Sequence, residues 1–268
     1  MYITTTPITE MKNAYIVEGK NVVVTGGNRG IGRGIAQAFA ECGANVAILN
    51  RNHESGKKAA AELEKYGGKF AAFQCDTADI NSVRAAAAGV FKFFDHVDVL
   101  VNNAGVATSM PFLQDGGLEE WHRVINTNLH GPANTVYEIA PKMVEAGLGG
   151  VIINISAIAS RTVSSSKNFH IAPYNVSKAG LDIFSRYLAV VLGDHGIRVN
   201  SIILGPIHSD LDKQLPEGSQ ERIANSVPIH RFGEPIEVGS LCVFMTSPAG
   251  AMITGANMTF DGGMLCVT

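Results

Sequence analysis

Short apolar runs alternate with helix-patterned stretches along nearly the whole of this chain, and that rhythm limits the fold more than any single residue does. Residues 22–24, 46–49, 70–75, 97–101, 151–155 and 199–204 read as six strands, and 258–260 as a seventh. Ile31, Ile35, Phe39 and Cys42 recur at helical spacing until Gly43 stops the pattern. An Ala/Glu/Lys-rich helical stretch closes near Gly67 and Gly68. Residues 80–94, 118–146 and 173–194 carry further helical patterns, the last with Leu181, Phe184, Leu188 and Val191 inward. Strands that are apolar throughout, rather than at every second residue, belong in a parallel α/β sheet covered by helices on both faces. Two stretches interrupt the rhythm: the Ser-rich 157–172, and 205–235 with Pro206, Pro216 and Pro228. The pattern resumes after each and no internal repeat is present. The expectation is one domain over 1–268, with 1–18 as an N-terminal extension and 205–235 as a long loop region.

Composition narrows the function classes. With 21 basic and 24 acidic residues the net charge is −3, which offers nothing to nucleic acid or an anionic membrane surface. No apolar run approaches the roughly 20 residues that span a bilayer. Residues 1–19 lack the pattern of a secretory signal. The four cysteines (Cys42, Cys75, Cys242, Cys266) show no CxxC and no metal-like spacing to histidine, so free thiols, a cytoplasmic setting and no metal are expected.

A glycine-rich turn joins the first strand to the first helix: Thr25-Gly26-Gly27-Asn28-Arg29-Gly30-Ile31-Gly32. Glycines let the backbone turn sharply and approach a pyrophosphate, while the helix N-terminus presents free N–H groups and the positive end of its dipole. The spacing is GxxxGxG rather than the commoner GxGxxG, and a tight connection without a ligand is the competing reading. Position after the first strand of an alternating chain favours the ligand. Asn50-Arg51 follows the second strand where a carboxylate would select an unphosphorylated ribose, and Arg29 lies in the turn itself. Two guanidiniums and no acid suit a 2′-phosphate, so NADP(H) is expected over NAD(H), against the plainer possibility of two solvated surface charges.

Tyr174-Asn175-Val176-Ser177-Lys178 opens the 173–194 helix. A separation of four stacks Tyr174 and Lys178 on one face. An ammonium there favours the phenolate and draws proton exchange at tyrosine towards neutral pH, which suits a general acid for carbonyl reduction and a base for alcohol oxidation. Alone, such a pair is more often a surface feature.

The pair does not stand alone. TGxxxGxG at 25–32, Asn102-Asn103-Ala104-Gly105, and YxxxK at 174–178 occur in the order and spacing of the short-chain dehydrogenase/reductase family, which the chain resembles from about Gly19 to Gly263. Cys75-Asp76-Thr77, the segment 121–131 with Asn128-Leu129, Arg198-Val199-Asn200 and Phe260-Asp261-Gly262-Gly263 match further landmarks. The resemblance implies a doubly wound, Rossmann-type seven-stranded parallel sheet and hydride transfer between a nicotinamide and a carbonyl or alcohol. It assigns proton transfer to Tyr174, cofactor-ribose binding to Lys178, and a water-positioning role to Asn128, with Asn126 as the alternative. It sets Gly26, Asn28, Arg29, Gly30, Ile31, Gly32, Asn50 and Arg51 at the phosphates and ribose, and Asp76, Thr77, Asn103, Ala104 and Gly105 along the adenosine side. Ile207 and Ser209 fall near the carboxamide. It also implies a homo-oligomer, dimer or tetramer, built through 118–146 and 173–194; the apolar tail (264–268) is expected to be buried against a partner or beneath the substrate-covering region.

One departure matters. The family's catalytic serine is the second Ser of a segment like Asn-Ile-Ser-Ser; here Asn154-Ile155-Ser156-Ala157 has alanine there. Three readings stay open: Ser156 takes over through a bulge, a loop hydroxyl (Ser160, Thr162, Ser164, Ser165 or Ser166) folds back, or Tyr174 acts alone. His170, four residues before Tyr174, is a further candidate to face substrate. Leu204-Gly205 replaces the usual Pro-Gly, a change of loop stiffness. The leading expectation is an NADPH-dependent carbonyl reductase acting on ketones, ketoses or polyols. The rivals are a dinucleotide-binding protein without redox turnover, or a repurposed enzyme with no net redox change.

Overall fold

The computed structural model describes residues 13–108, 110–163, 171–209 and 218–267. Seven strands, β1 (Asn21–Thr25), β2 (Asn45–Asn50), β3 (Phe70–Gln74), β4 (Val99–Asn102), β5 (Gly150–Ala157), β6 (Ile197–Leu204) and β7 (Asn257–Phe260), form one parallel sheet. Their order is β3-β2-β1-β4-β5-β6-β7. The chain winds outward from β1 in one direction and from β4 in the other, so the C-terminal ends of β1 and β4 flank the switch point where a doubly wound sheet opens a crevice. This is the Rossmann-type architecture that the strand pattern implies.

The helices are α1 (Gly30–Glu41), α2 (His53–Leu63), α3 (Ile80–Phe93), α4 (Gly117–Ile125), α5 (Gly131–Ala146), α6 (Ala172–Gly193), α7 (Ser219–Ser226) and α8 (Pro235–Thr246). Two cores sandwich the sheet. On one face Val22, Val24, Ile48 and Ile153 pack against Ile35, Phe39, Leu63, Val238 and Cys242 of α1, α2 and α8. On the other, Val23, Leu49, Leu100 and Ile152 meet Val83, Val90, Ile139 and Leu188 of α3, α5 and α6. Burial on both faces is why the strands carry no alternation.

Two elements differ from the sequence expectation. Residues 118–146 are not one regular helix: a π-helical turn, Asn126–His130, separates α4 from α5. The 205–235 stretch is not all loop: it contains α7, and α8 follows from Pro235, apolar nearly all round and packed on α1 where a Cβ at Gly34 would collide with Pro235 and one at Gly239 with Ala38. A helix buried on most sides shows no 3.6-residue polar rhythm to read. Glu237 accepts the Glu234 N–H at 2.7 Å and fixes its start. Among the described residues no helix is long and apolar enough to cross a membrane, and no three His, Cys, Asp or Glu side chains group as metal ligands.

Candidate active site

At the switch point the glycine turn leaves β1 and meets the loop leaving β4. Gly26 and Gly30 take φ of +67° and +50°, values that favour glycine. A Cβ at Gly32 would collide with the Gly26 carbonyl and the Asn103 amide, so α1 starts closer to the turn than any side chain permits. Arg29 enters α1 in extended conformation and its side chain does not cap the first-turn N–H groups. Uncapped donors over a cradle that a Cβ would fill are the shape a dinucleotide pyrophosphate requires, and the residues present fit one.

Thr25 latches the two loops together. Its Oγ1 accepts from the N–H groups of Asn103 (2.9 Å) and Ala104 (3.0 Å), while Asn103 Nδ2 donates to the Thr25 carbonyl at 2.9 Å. The sequence motif includes Thr25, but its role as the latch shows only here. Ser209 comes over the turn, its Cβ 3.8 Å from where a Gly30 Cβ would stand. Ile207 bridges to Gly233, which anchors the 205–209 segment beside it. Thr77 is buried, its carbonyl accepting from Asn134 Nδ2 at 2.9 Å, and Asp76 caps its own loop through Ala78 N–H at 3.0 Å.

Asn50 does not open towards the cleft as its assignment to the cofactor implies. It is buried, donates to the Asn52 carbonyl, and packs against Gly56 so closely that a Cβ there would collide with it. Its work is to hold the start of α2. Asn28 joins the same corner by donating to Ser55 Oγ at 3.0 Å, and Arg51 is exposed.

The residues expected from sequence to transfer the proton gather between β5, the π-turn and α6. Asn128 sits at the centre of the π-turn, fully buried. Its Oδ1 accepts from Val106 N–H and its Nδ2 donates to Val106 carbonyl, both at 2.8 Å, clamping the chain after β4. The same amide reaches Ser177 Oγ at 3.3 Å, and Ser177 donates to the Tyr174 carbonyl at 2.8 Å. Asn128 is thereby joined to α6, whereas Asn126 turns outward and binds His130 at 3.0 Å. Lys178 is buried; its Nζ donates to the Ile155 carbonyl at 2.7 Å and lies 5.6 Å from the centre of the Tyr174 ring. A Cβ on Gly105 would stand 3.3 Å from Asn128 Oδ1 and 3.7 Å from Lys178 Nζ, which places that glycine between them.

Burial governs the titration of the pair. It pushes Tyr174 up to about 12, and it pushes Lys178 down to about 8 against the opposing pull of the Asp182 charge. The expectation that the ammonium draws tyrosine towards neutrality is not met in this geometry. Desolvation of the phenolate outweighs it, with Nζ engaged on a backbone carbonyl.

Ser156 stands elsewhere than the sequence reading needs. The β5–β6 register runs one-to-one from Gly150↔Ile197 through Ala157↔Leu204, so no bulge turns it, and its buried hydroxyl faces the Lys178 carbonyl at 3.5 Å. Among the loop hydroxyls, Thr162 is engaged with the Ile158 carbonyl, whereas Ser160 Oγ is buried with no partner. Asn175, not singled out from sequence, pins this loop by donating to the Ala159 and Thr162 carbonyls at 2.6 Å each. Ser164, Ser165, Ser166 and His170 lie outside the described residues.

The comparisons with known proteins agree with this geometry. A family model described as enoyl-(acyl carrier protein) reductase matches residues 25–265. L-rhamnose 1-dehydrogenase (NAD(P)(+)) of Azotobacter vinelandii is 37% identical over 251 residues, covering 91% of this chain and 96% of that one. The chain belongs to the short-chain dehydrogenase/reductase family. D-threitol dehydrogenase of Mycolicibacterium smegmatis is likewise 37% identical, over 92% of this chain and 93% of the relative. Among solved structures, a short-chain type dehydrogenase/reductase from Mycobacterium marinum superposes with a TM-score of 0.90 at 31% identity, covering 96% and 100% of the two chains. Family membership makes the chain an oxidoreductase of the alcohol–carbonyl couple, working with a nicotinamide dinucleotide.

Proposed function

We propose that this short-chain dehydrogenase/reductase is an NADP(H)-dependent enzyme that interconverts a ketone or ketose carbonyl and a secondary alcohol, with Tyr174 as proton donor. The observation that carries the reading is the buried Lys178 ammonium beside the Tyr174 ring, tethered to Ile155 and walled by Gly105 and Asn128. A lysine taken out of water next to a tyrosine serves no packing purpose, and it makes sense where a phenolate forms during turnover. In reduction Tyr174 gives its proton to the carbonyl oxygen; in oxidation the phenolate takes the alcohol proton, stabilised by Lys178. When bound, the nicotinamide supplies or accepts the hydride.

The uncapped turn over Gly26–Gly32 holds the pyrophosphate, Asn103 and Gly105 border the cofactor path, and Ile207 and Ser209 close over it. Arg29 and Arg51, with no carboxylate at the end of β2, support a 2′-phosphate. The first two relatives act, by name, on a sugar and a polyol, and they favour a polyhydroxylated substrate here. Ser160, the one unpartnered hydroxyl among the described loop residues, is the candidate for the donor that Ala157 lacks. Ala157 also favours the second reading, dinucleotide binding without redox turnover. A cytoplasmic setting and a homo-oligomer complete the proposal.

Oxidation of NADPH and of NADH against a panel of ketoses, ketones and diketones tests it, with the reverse reaction run on polyols and sugars. Turnover favouring NADPH is expected. Binding of NADPH without turnover on any member would move the function to the non-redox reading.

A further inference from the structure

Asp182 is a buried acid for which the mechanism above has no use. It lies one helical turn beyond Lys178 on α6, itself one turn beyond Tyr174, so that the three form a single stripe along the helix. It is 5% exposed, against 4% for Lys178, and its Oδ1 accepts no hydrogen bond. A carboxylate buried without a hydrogen-bond partner is costly, and such groups persist where a charge needs them. The other charged groups on the elements packed against α6 are turned elsewhere. On α4, Glu120 and Arg123 bind each other and Glu119 and His122 are exposed. His130 of the π-turn binds Asn126. Arg198 of β6 donates to the Ile253 and Met245 carbonyls, and Arg161, after β5, reaches towards Thr259. On α6 itself Arg186 and Asp194 are exposed. Among the described residues Asp182 is left as the countercharge to Lys178, acting across the helical turn without a direct ion pair.

We propose that Asp182 is a positioning residue for proton transfer, its carboxylate keeping the Lys178 ammonium charged and seated beside Tyr174. The proposal rests on the reading of Tyr174 and Lys178 as the proton-transfer pair. Without the acid, the Ile155 carbonyl and the Tyr174 ring are left to support the buried ammonium, and the lysine gives up its proton at lower pH. The phenolate then loses its stabiliser within the working range.

The test reads the lysine directly. The protein is labelled with [13Cε]lysine, and the Lys178 resonance is assigned by its loss in Lys178→Met and titrated in wild type, Asp182→Asn, Asp182→Ser and Asp182→Glu. The midpoint is expected to fall by about one pH unit or more in the Asn and Ser variants and to return in the Glu variant. The alkaline limb of kcat/KM should move by the same amount, with KM for the alcohol little changed. A midpoint that stays in place while the melting temperature drops would make Asp182 a structural residue only and overturn the proposal. The resonance is read whether or not the chain turns over substrate. Failure of the oxidoreductase reading, seen as absent turnover, is thus distinct from failure of this one.

Discussion

At the scale of single residues the site consists of opposed environments. Burial drives Tyr174 up and Lys178 down, so the proposed proton donor is held neutral and the cation is held near its limit. Lys178 loses its charge as pH rises through about 8, and the rate of alcohol oxidation at saturating cofactor is expected to fall across that range. The same shift couples to folding. Because the folded midpoint lies below the ordinary 10.5, the unfolded chain binds the extra proton between about 8 and 10.5, and stability from this group rises with pH there. Lys178→Met should flatten that rise in pH-dependent denaturation curves. Restoring the absent donor by Ala157→Ser should raise kcat, by up to about 10²-fold if Tyr174 works unaided. An unchanged rate would indicate that another hydroxyl, Ser160 first, already fills the role. Arg29→Ala with Arg51→Ala should cut the preference for NADPH over NADH by about tenfold or more, measured as the ratio of kcat/KM values.

At the scale of elements, much was legible because the physics is local. Apolar runs gave all seven strands, and TGxxxGxG, NNAG and YxxxK marked three of the loops and helices that line the crevice. What escaped depended on contacts between distant residues. Helix α7 lies hidden inside the stretch read as loop, and α8 offers no polar rhythm to set its bounds because α1 covers it through Gly34 and Gly239. The π-turn at Asn126–His130 is hidden because nothing local distinguishes it from the helices it joins. It matters because π-turns within helices are costly and recur at functional sites, and this one carries the Asn128 clamp on Val106. The inward turn of Asn50 follows from Gly56 of α2 packing on it, and the titration of Tyr174 from burial that spacing alone does not convey. Asn128→Ala should release the chain after β4 and lower kcat by about 10²-fold, with NADPH affinity largely kept. Gly32→Ala acts on the other side of the crevice, and should instead weaken NADPH binding, read by fluorescence titration, because α1 can no longer approach the Gly26 carbonyl.

At the scale of the whole molecule, α5 and α6 present Tyr137, Ile183, Tyr187 and Val190 at 59–82% exposure, opposite the faces that meet the sheet. The proposed dimer or tetramer through these helices would cover that surface. Light scattering at micromolar concentration should give a multiple of 28.4 kDa, and Tyr187→Glu with Val190→Glu should reduce it. A monomer in the unaltered chain would leave the apolar faces to another partner. On the proposed reading the sheet, the two covering layers and the crevice at the β1/β4 switch serve one end: a buried lysine beside a half-buried tyrosine, where a bound nicotinamide and a substrate oxygen would meet. The most direct test sets NADPH binding, by fluorescence, beside NADPH turnover on the best substrate for wild type and Tyr174→Phe. Binding within about twofold and turnover lower by about 10³-fold or more is the predicted result. Turnover retained in the variant would contradict Tyr174 as the proton donor.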